Sequence, residues 1–341
     1  MSRVEGGADL TKGDPRRTAI DVAATASKII ANMEKVIIGK RQQIMLTLVA
    51  YFCEGHILLE DVPGVAKTML ARALAKSVGC VFKRIQCTPD LLPTDVTGVS
   101  IFNQKTTEFE FRPGPIFAQT LLTDEINRTT PRTQSALLEA MAERCVTVDG
   151  TTYKLKPPFL VIATQNPVDH EGTFPLPEAQ LDRFLIRLAI GYPTLDDESK
   201  MLQRLQHAHP IDEIGTVVTA ADVIACQDVV REVHVDEKVR KYILEIVHGT
   251  RLHDEIALGG SPRASIALFR TAQAHAAISG RNFVMPDDVK RMVMPVMAHR
   301  IILRPESRLR KLTPEAVLSE VVSDVRIPAS THQEEKDEWG R

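Results

Sequence analysis

HILLEDVPGVAKTMLAR, residues 56–72, changes character twice within a short span. Ile57, Leu58 and Leu59 form an apolar run that suits a strand buried on both faces. The turn from Asp61 to Thr68 holds Pro63, Gly64, Lys67 and Thr68. Met69, Leu70, Ala73 and Leu74 then recur at helical spacing. A strand, a turn ending in Lys-Thr and a helix are the context that a phosphate-binding loop requires.

The chemistry of such a loop follows from its parts. Backbone N–H groups of the turn and of the first helical turn converge on a polyphosphate, and the helix dipole adds positive potential. Val62, Pro63, Gly64, Val65, Ala66 and Met69 complete the expected loop around Lys67 and Thr68. Lys67 would reach the terminal phosphates as a point charge. The Thr68 hydroxyl would coordinate a Mg²⁺ ion bridging two phosphates. Two positions depart from the G-x-x-x-x-G-K-[ST] pattern: Asp61 stands at its first glycine and Ala66 at its second. An alanine there is expected to need a negative φ and room for the anion beside its methyl group. The bland alternative is an ordinary strand-to-helix turn.

The remaining composition sets bounds. A chain of 341 residues can hold two domains around a sizeable core. A formal net charge of −2 gives no support to a nucleic-acid surface or a polybasic membrane patch. The five cysteines are scattered without a C-x-x-C pair, which favours reduced thiols and a cytoplasmic location over a disulfide framework or a zinc site. Cys87 and Cys145 are expected to be buried and inert. No apolar run is long enough for a membrane span, and the first residues lack a secretion signal.

Four further apolar runs read as strands: residues 81–87, 121–123, 159–164 and 184–190. Helical patterns separate most of them, so the five strands should form a parallel sheet with helices on both sides. Two more helices, from residue 19 and over about 40–52, precede the loop. Two hairpins interrupt the order. In 98–114, Phe109 and Phe111 alternate with Glu108 and Glu110; in 146–155, Asp149-Gly150 sits between alternating segments. Beyond Gly191-Tyr192-Pro193 the pattern turns helical, with helices expected over 198–207, 219–230, 236–251, 262–279, 286–298 and 314–322. The methionines of 285–297 suit a packed helix face. The implied division is a tail at 1–18, an α/β domain at 19–191 with two hairpin inserts, a helical domain at 192–327 and a second tail at 328–341.

Four further groups carry candidate chemistry. Leu121 to Glu125, LLTDE, ends a strand in two carboxylates at the edge where open α/β sheets bind ligands. Asp124 would hold the Mg²⁺ shell and Glu125 would polarise an attacking water. Asn166, after FLVIAT, is either a γ-phosphate or water contact or simply a turn residue before proline. Arg183 either neutralises transition-state charge or pairs with Asp182 or Glu178. Arg263 is either a nucleotide contact from the helical domain or part of a capped helix start. His207 and His209 read H-x-H with no third ligand nearby and suit a helix end.

LLEDVPGVAKT, LLTDEINRTTPRTQSALLEAMAE, ATQNP, LPEAQLDRFLIR and GGSPRA occur in this order. Together they resemble the MoxR family of AAA+ ATPases, over about residues 29–328. The resemblance implies a P-loop five-stranded parallel sheet, the AAA+ core, followed by a small all-α lid. It implies ATP and Mg²⁺ as cofactors. Lys67 and Thr68 match Walker A, Asp124 and Glu125 Walker B, and Asn166 sensor 1. Arg183 matches an arginine finger acting on a neighbouring subunit, and Arg263 matches a sensor 2 acting within its own chain. Ile38 and Gly39 lie in the segment that flanks the adenine. The hairpins resemble the helix-2 and pre-sensor-1 inserts. The family further implies a homo-oligomeric ring, usually a hexamer, partners with a von Willebrand factor A domain, and chaperone-like remodelling of a protein client, with metal-cofactor maturation among its roles. The rival readings are a magnesium-chelatase-like motor subunit, a nucleic-acid motor, against which the charge balance speaks, and a nucleotide-gated scaffold with little turnover.

Overall fold

The computed structural model describes residues 20–62, 64–166, 172–205 and 209–328. Pro63, His207, the proposed tail at 1–18 and all of the tail at 328–341 but its first residue lie outside the described residues. Five strands, β1 (Ile57–Glu60), β2 (Phe82–Gln86), β3 (Thr120–Asp124), β4 (Leu160–Gln165) and β5 (Ile186–Leu188), form one parallel sheet in the order β2-β3-β4-β1-β5. The three central strands are the most apolar, and the sheet is covered on both sides.

Alternation along each strand divides the core in two. Ile57, Leu59, Leu122, Leu160 and Ile162 join a cluster with helices α1 (Val22–Met33), α2 (Arg41–Phe52) and α3 (Lys67–Ser77). Leu58, Leu121, Val161 and Ala163 face the opposite way, against Leu137, Leu138 and Met141 of the helix Pro131–Glu143. The first cluster does not stop at the sheet. It continues through Val223, Tyr242, Leu268, Ala272 and Met297 of the later helices; α2 is packed between β5 and that region, and α1 between α3 and that region.

That region holds the helices Leu195–Leu205, Ala220–Arg231, Glu237–Leu252, Pro262–Ile278, Pro286–Met297 and Pro314–Asp324. Thr219 and Asp236 cap their helices through side-chain oxygens rather than joining them. The region also contains an antiparallel ribbon, Ile256–Leu258 with Ile302–Leu303, which the sequence pattern did not announce. Strands of two and three residues are too short to show a period. Met292 and Met297 are buried, as a packed face requires.

Both hairpins form antiparallel ribbons, Gly98–Asn103 with Glu108–Pro113 and Cys145–Val148 with Thr151–Lys154. Asp149 and Gly150 have φ of 50° and 77°, the left-handed pair that a tight two-residue turn demands. Phe111 of the first ribbon stacks on Tyr153 of the second, with ring centroids 4.2 Å apart. All five cysteines are free thiols. Cys87 is buried and its thiol is pushed up to about 12 by burial, whereas Cys145, on a ribbon edge, is only partly covered. Among the described residues no helix is long and apolar enough to cross a membrane.

Candidate functional site

The turn after β1 lies at the carboxyl edge of the sheet, and Ala66 is its pivot. Ala66 has φ 62° and ψ 22°, directly before the first residue of α3. The expected negative φ is therefore not what the chain adopts. Left-handed backbone turns the loop into the helix, at a cost of about 1–2 kcal/mol for a residue with a Cβ. The methyl group is accommodated because Ala66 packs against the main apolar cluster. Gly64, with φ 86°, supplies the other left-handed position and has open space around it.

Asp61 explains why the first glycine of the general pattern is dispensable here. Its carboxylate is buried and accepts three backbone N–H groups: Val62 on Oδ1 at 2.9 Å, and Ile190 and Gly191 on Oδ2 at 2.6 Å each. It anchors the start of the loop to the chain leaving β5. Lys67 extends its ammonium over the same loop and donates to the Asp61 carbonyl at 2.5 Å. Burial lowers the Lys67 pKa, while Asp61, Asp124 and Glu125 oppose that shift, so the ammonium sits in an acidic surround.

Lys67, Thr68, Asp124, Glu125, Thr164 and Asn166 line one cavity of about 330 Å³, together with Gly64, Ala66, Met69, Arg84 and Gln86. Three neighbouring strand ends bring them there, because β3, β4 and β1 are adjacent in the sheet. Thr164 joins the two carboxylate residues: its hydroxyl donates to Asp124 Oδ1 at 3.2 Å and accepts the Glu125 N–H at 2.8 Å. Glu125 itself has φ 57°, so the chain turns sharply off β3 and the hydroxyl holds that turn. Its Oε2 accepts from Arg128 Nη1 at 2.9 Å and Gln86 Nε2 at 3.2 Å. Arg84 Nε donates to Asp124 Oδ2 at 2.5 Å. A hydroxyl and a carboxylate beside an ammonium are hard oxygen donors suited to Mg²⁺ with phosphate, so the residues present fit that pair.

Arg84, Gln86, Arg128 and Thr164 had no role in the sequence reading. Arg84 and Gln86 are two apart on edge strand β2, hence on one face, and the register sets Gln86 opposite Asp124. Two polar residues at alternate positions of an otherwise short strand were the available signal. For Thr164 it was a hydroxyl near the end of an apolar strand.

Other expected residues lie elsewhere. Arg183 is exposed and donates to the Leu138 carbonyl at 2.8 Å. Arg263 lies 4.0 Å from Asp182. The two arginines line a second cavity of about 230 Å³ with Arg144, Arg270 and Arg300, and neither lines the cavity around Lys67. Ile38 and Gly39 do not line that cavity either. Gly39, at φ 71°, lies so close to the Asp197 carboxylate of helix Leu195–Leu205 that a Cβ there would collide with it.

Known proteins resemble this chain in sequence and fold. Residues 56–186 match the ATPase family associated with various cellular activities, and residues 248–321 match the AAA lid domain. Chaperone MoxR1 of Mycobacterium tuberculosis is 38% identical over 313 residues, which are 89% of this chain and 82% of that protein. The chain belongs to the MoxR family of AAA+ ATPases. YeaC of Bacillus subtilis, an uncharacterized protein, is 52% identical over 90% of this chain and 96% of its own length. The crystal structure of a candidate ATPase from Cytophaga hutchinsonii superposes with a TM-score of 0.85 at 38% identity, covering 90% of this chain and 96% of that one. For a MoxR-family chain the five-stranded sheet belongs to the AAA+ core, and the helices within residues 248–321 belong to the lid.

Proposed function

We propose that this MoxR-family chain binds Mg²⁺-ATP in the cavity around Lys67 and hydrolyses it within a homo-oligomeric ring, a hexamer, to remodel a protein client in the cytoplasm. The observation that carries this is the convergence of Lys67, Thr68, Asp124, Glu125, Thr164 and Asn166 on one cavity at the sheet edge. Lys67 and the backbone of Val62, Gly64, Val65, Ala66 and Met69 would hold the phosphates, and Pro63 is part of the same reading. Thr68 and Asp124 would hold Mg²⁺, which supplies charge neutralisation between phosphates. Glu125 would take the proton of the attacking water, and Asn166 would orient that water or the γ-phosphate.

Arg183 and Arg263 share a cavity apart from this site, which supports assigning both to the nucleotide of a neighbouring subunit. That differs from the within-chain role first expected for Arg263. Ile38 and Gly39 keep the role of flanking the base only if helix Leu195–Leu205 and Asp197 yield to it. A chaperone role is supported by the name of the MoxR1 relative. A von Willebrand factor A partner and metal-cofactor maturation are part of the same reading.

The test is Glu125→Gln. The variant should bind ATP as the wild type does and lose steady-state turnover by at least a hundredfold. Unchanged hydrolysis would overturn the assignment. Trapped with ATP, the same variant should retain client and partner for identification.

A further inference from the structure

We propose that Arg300 is a positioning residue for Arg183, fixing from the lid the segment that presents the guanidinium to a neighbouring subunit. The inference rests on the reading that Arg183 acts in trans.

Arg300 follows the lid helix Pro286–Met297 and is 9% exposed. Its guanidinium reaches the AAA+ core and grips the residues on both sides of Arg183. Nε donates to Asp182 Oδ1 at 2.8 Å, Nη2 to the Phe184 carbonyl at 2.7 Å and the Asp182 carbonyl at 3.4 Å, and Nη1 to the Leu185 carbonyl at 3.1 Å. Only the remaining bond, to the Val296 carbonyl, serves the helix that Arg300 follows. The neighbouring His299 adds Nε2 to the Phe184 carbonyl at 3.0 Å. The chain before and after Arg183 is thus held by a planar, rigid donor fork, and the Arg183 side chain projects from a fixed base.

Asp182 extends the device. While Arg300 holds one carboxylate oxygen, the other accepts from Ser261 Oγ at 3.1 Å and lies 4.0 Å from Arg263 Nη1. One carboxylate therefore ties the Arg183 segment to the turn that opens the Arg263 helix. The pair of buried Arg300 with half-buried Asp182 sets the spacing between Arg183 and Arg263. Such a pair gains little stability compared with apolar packing, whereas it fixes geometry well. Misplacing a transition-state contact by an ångström can cost about a hundredfold in rate.

The experiment uses full-length protein and Arg300→Lys, which keeps the charge and loses the fork. We expect ATP-analogue affinity within twofold of wild type and turnover lowered at least tenfold. A Lys67→Ala subunit has no working ATP site of its own but carries an intact Arg183. Mixed with Arg300→Lys subunits, it should restore turnover severalfold, as it should with Arg183→Ala subunits. Full activity of Arg300→Lys alone would overturn the proposal. So would rescue of Arg183→Ala but not of Arg300→Lys, which leaves the trans reading standing. Rescue of neither would remove the trans reading itself. If Arg300→Lys does not fold, Asp182→Asn is put through the same mixtures and judged by the same outcomes.

Discussion

Asp61 and Gly191 are joined by a 2.6 Å hydrogen bond between a buried carboxylate and a backbone N–H, across 130 residues of sequence. The same oxygen takes the Ile190 N–H. The start of the turn after β1 and the exit from the last core strand are therefore one unit. Replacing Asp61 by glycine, the residue of the general motif, should harm this protein. Three N–H groups would lose their acceptor, and the buried one, on Ile190, alone costs about 1–3 kcal/mol. Chemical denaturation of Asp61→Gly measures the loss, and an ATP-analogue titration should show weaker binding.

Ala66 gives the opposite expectation. Glycine adopts its left-handed backbone without the Cβ penalty, and that gain is partly offset by entropy in the unfolded chain. Ala66→Gly should leave stability equal or raise it by up to about 1 kcal/mol, with nucleotide affinity undiminished. Ala66→Val, β-branched at the same φ, should lower both. Denaturation midpoints and a nucleotide titration on the pair check the order.

Thr164→Val preserves shape and removes the hydroxyl that links Asp124 to the Glu125 N–H. The unpaired N–H costs about 1–3 kcal/mol, and the turn that aims Glu125 loosens. Turnover should fall roughly tenfold or more, with the far-ultraviolet circular dichroism unchanged. Equal turnover in the two proteins would show that Glu125 does not depend on this hydroxyl.

His56 makes folding sensitive to acid. Burial holds its imidazole neutral, down to a pKa of about 4, although its bond to the Met141 carbonyl pulls the other way. Its other ring nitrogen accepts the Val161 N–H, so protonation would break a strand contact. The unfolded chain takes up the proton first, near pH 6.5, so stability is full above that value and falls as the pH drops towards 4. The loss from this group is of the order of 3 kcal/mol. His299, lowered by burial as well, adds in the same direction. His56→Gln should be less stable at pH 7 and show a flatter stability curve between pH 6.5 and 4, measured by urea denaturation.

The elements near the phosphate-binding loop were legible because each has a local signature. The apolar run at 57–59, the Lys67-Thr68 pair and the Asp124-Glu125 pair each announce themselves within a few residues. Strand order is not local, and the site depends on it. Gln86 meets Glu125 only because β2 pairs with β3, and Thr164 meets Asp124 only because β4 lies on the other side. Arg300 and Asp182 are 118 residues apart, and nothing in either segment predicts the other. The positive φ at Ala66 departs from the expected sign for a different reason. A methyl group argues against left-handed backbone on its own, but the packing around it decides.

The seamless apolar interior also limits how this protein can move. Ala26 and Ile29 of α1, Ile44 of α2 and Leu268 and Ala272 of the lid are all fully enclosed within the same cluster. Swinging the lid away on a hinge would wet that interior at about 25 cal/mol for every Å² laid bare, a toll that soon exceeds what a nucleotide contact returns. If the chain works in a ring as proposed, energy released at one site is better conveyed by whole subunits pivoting against one another than by any leaf opening inside one of them.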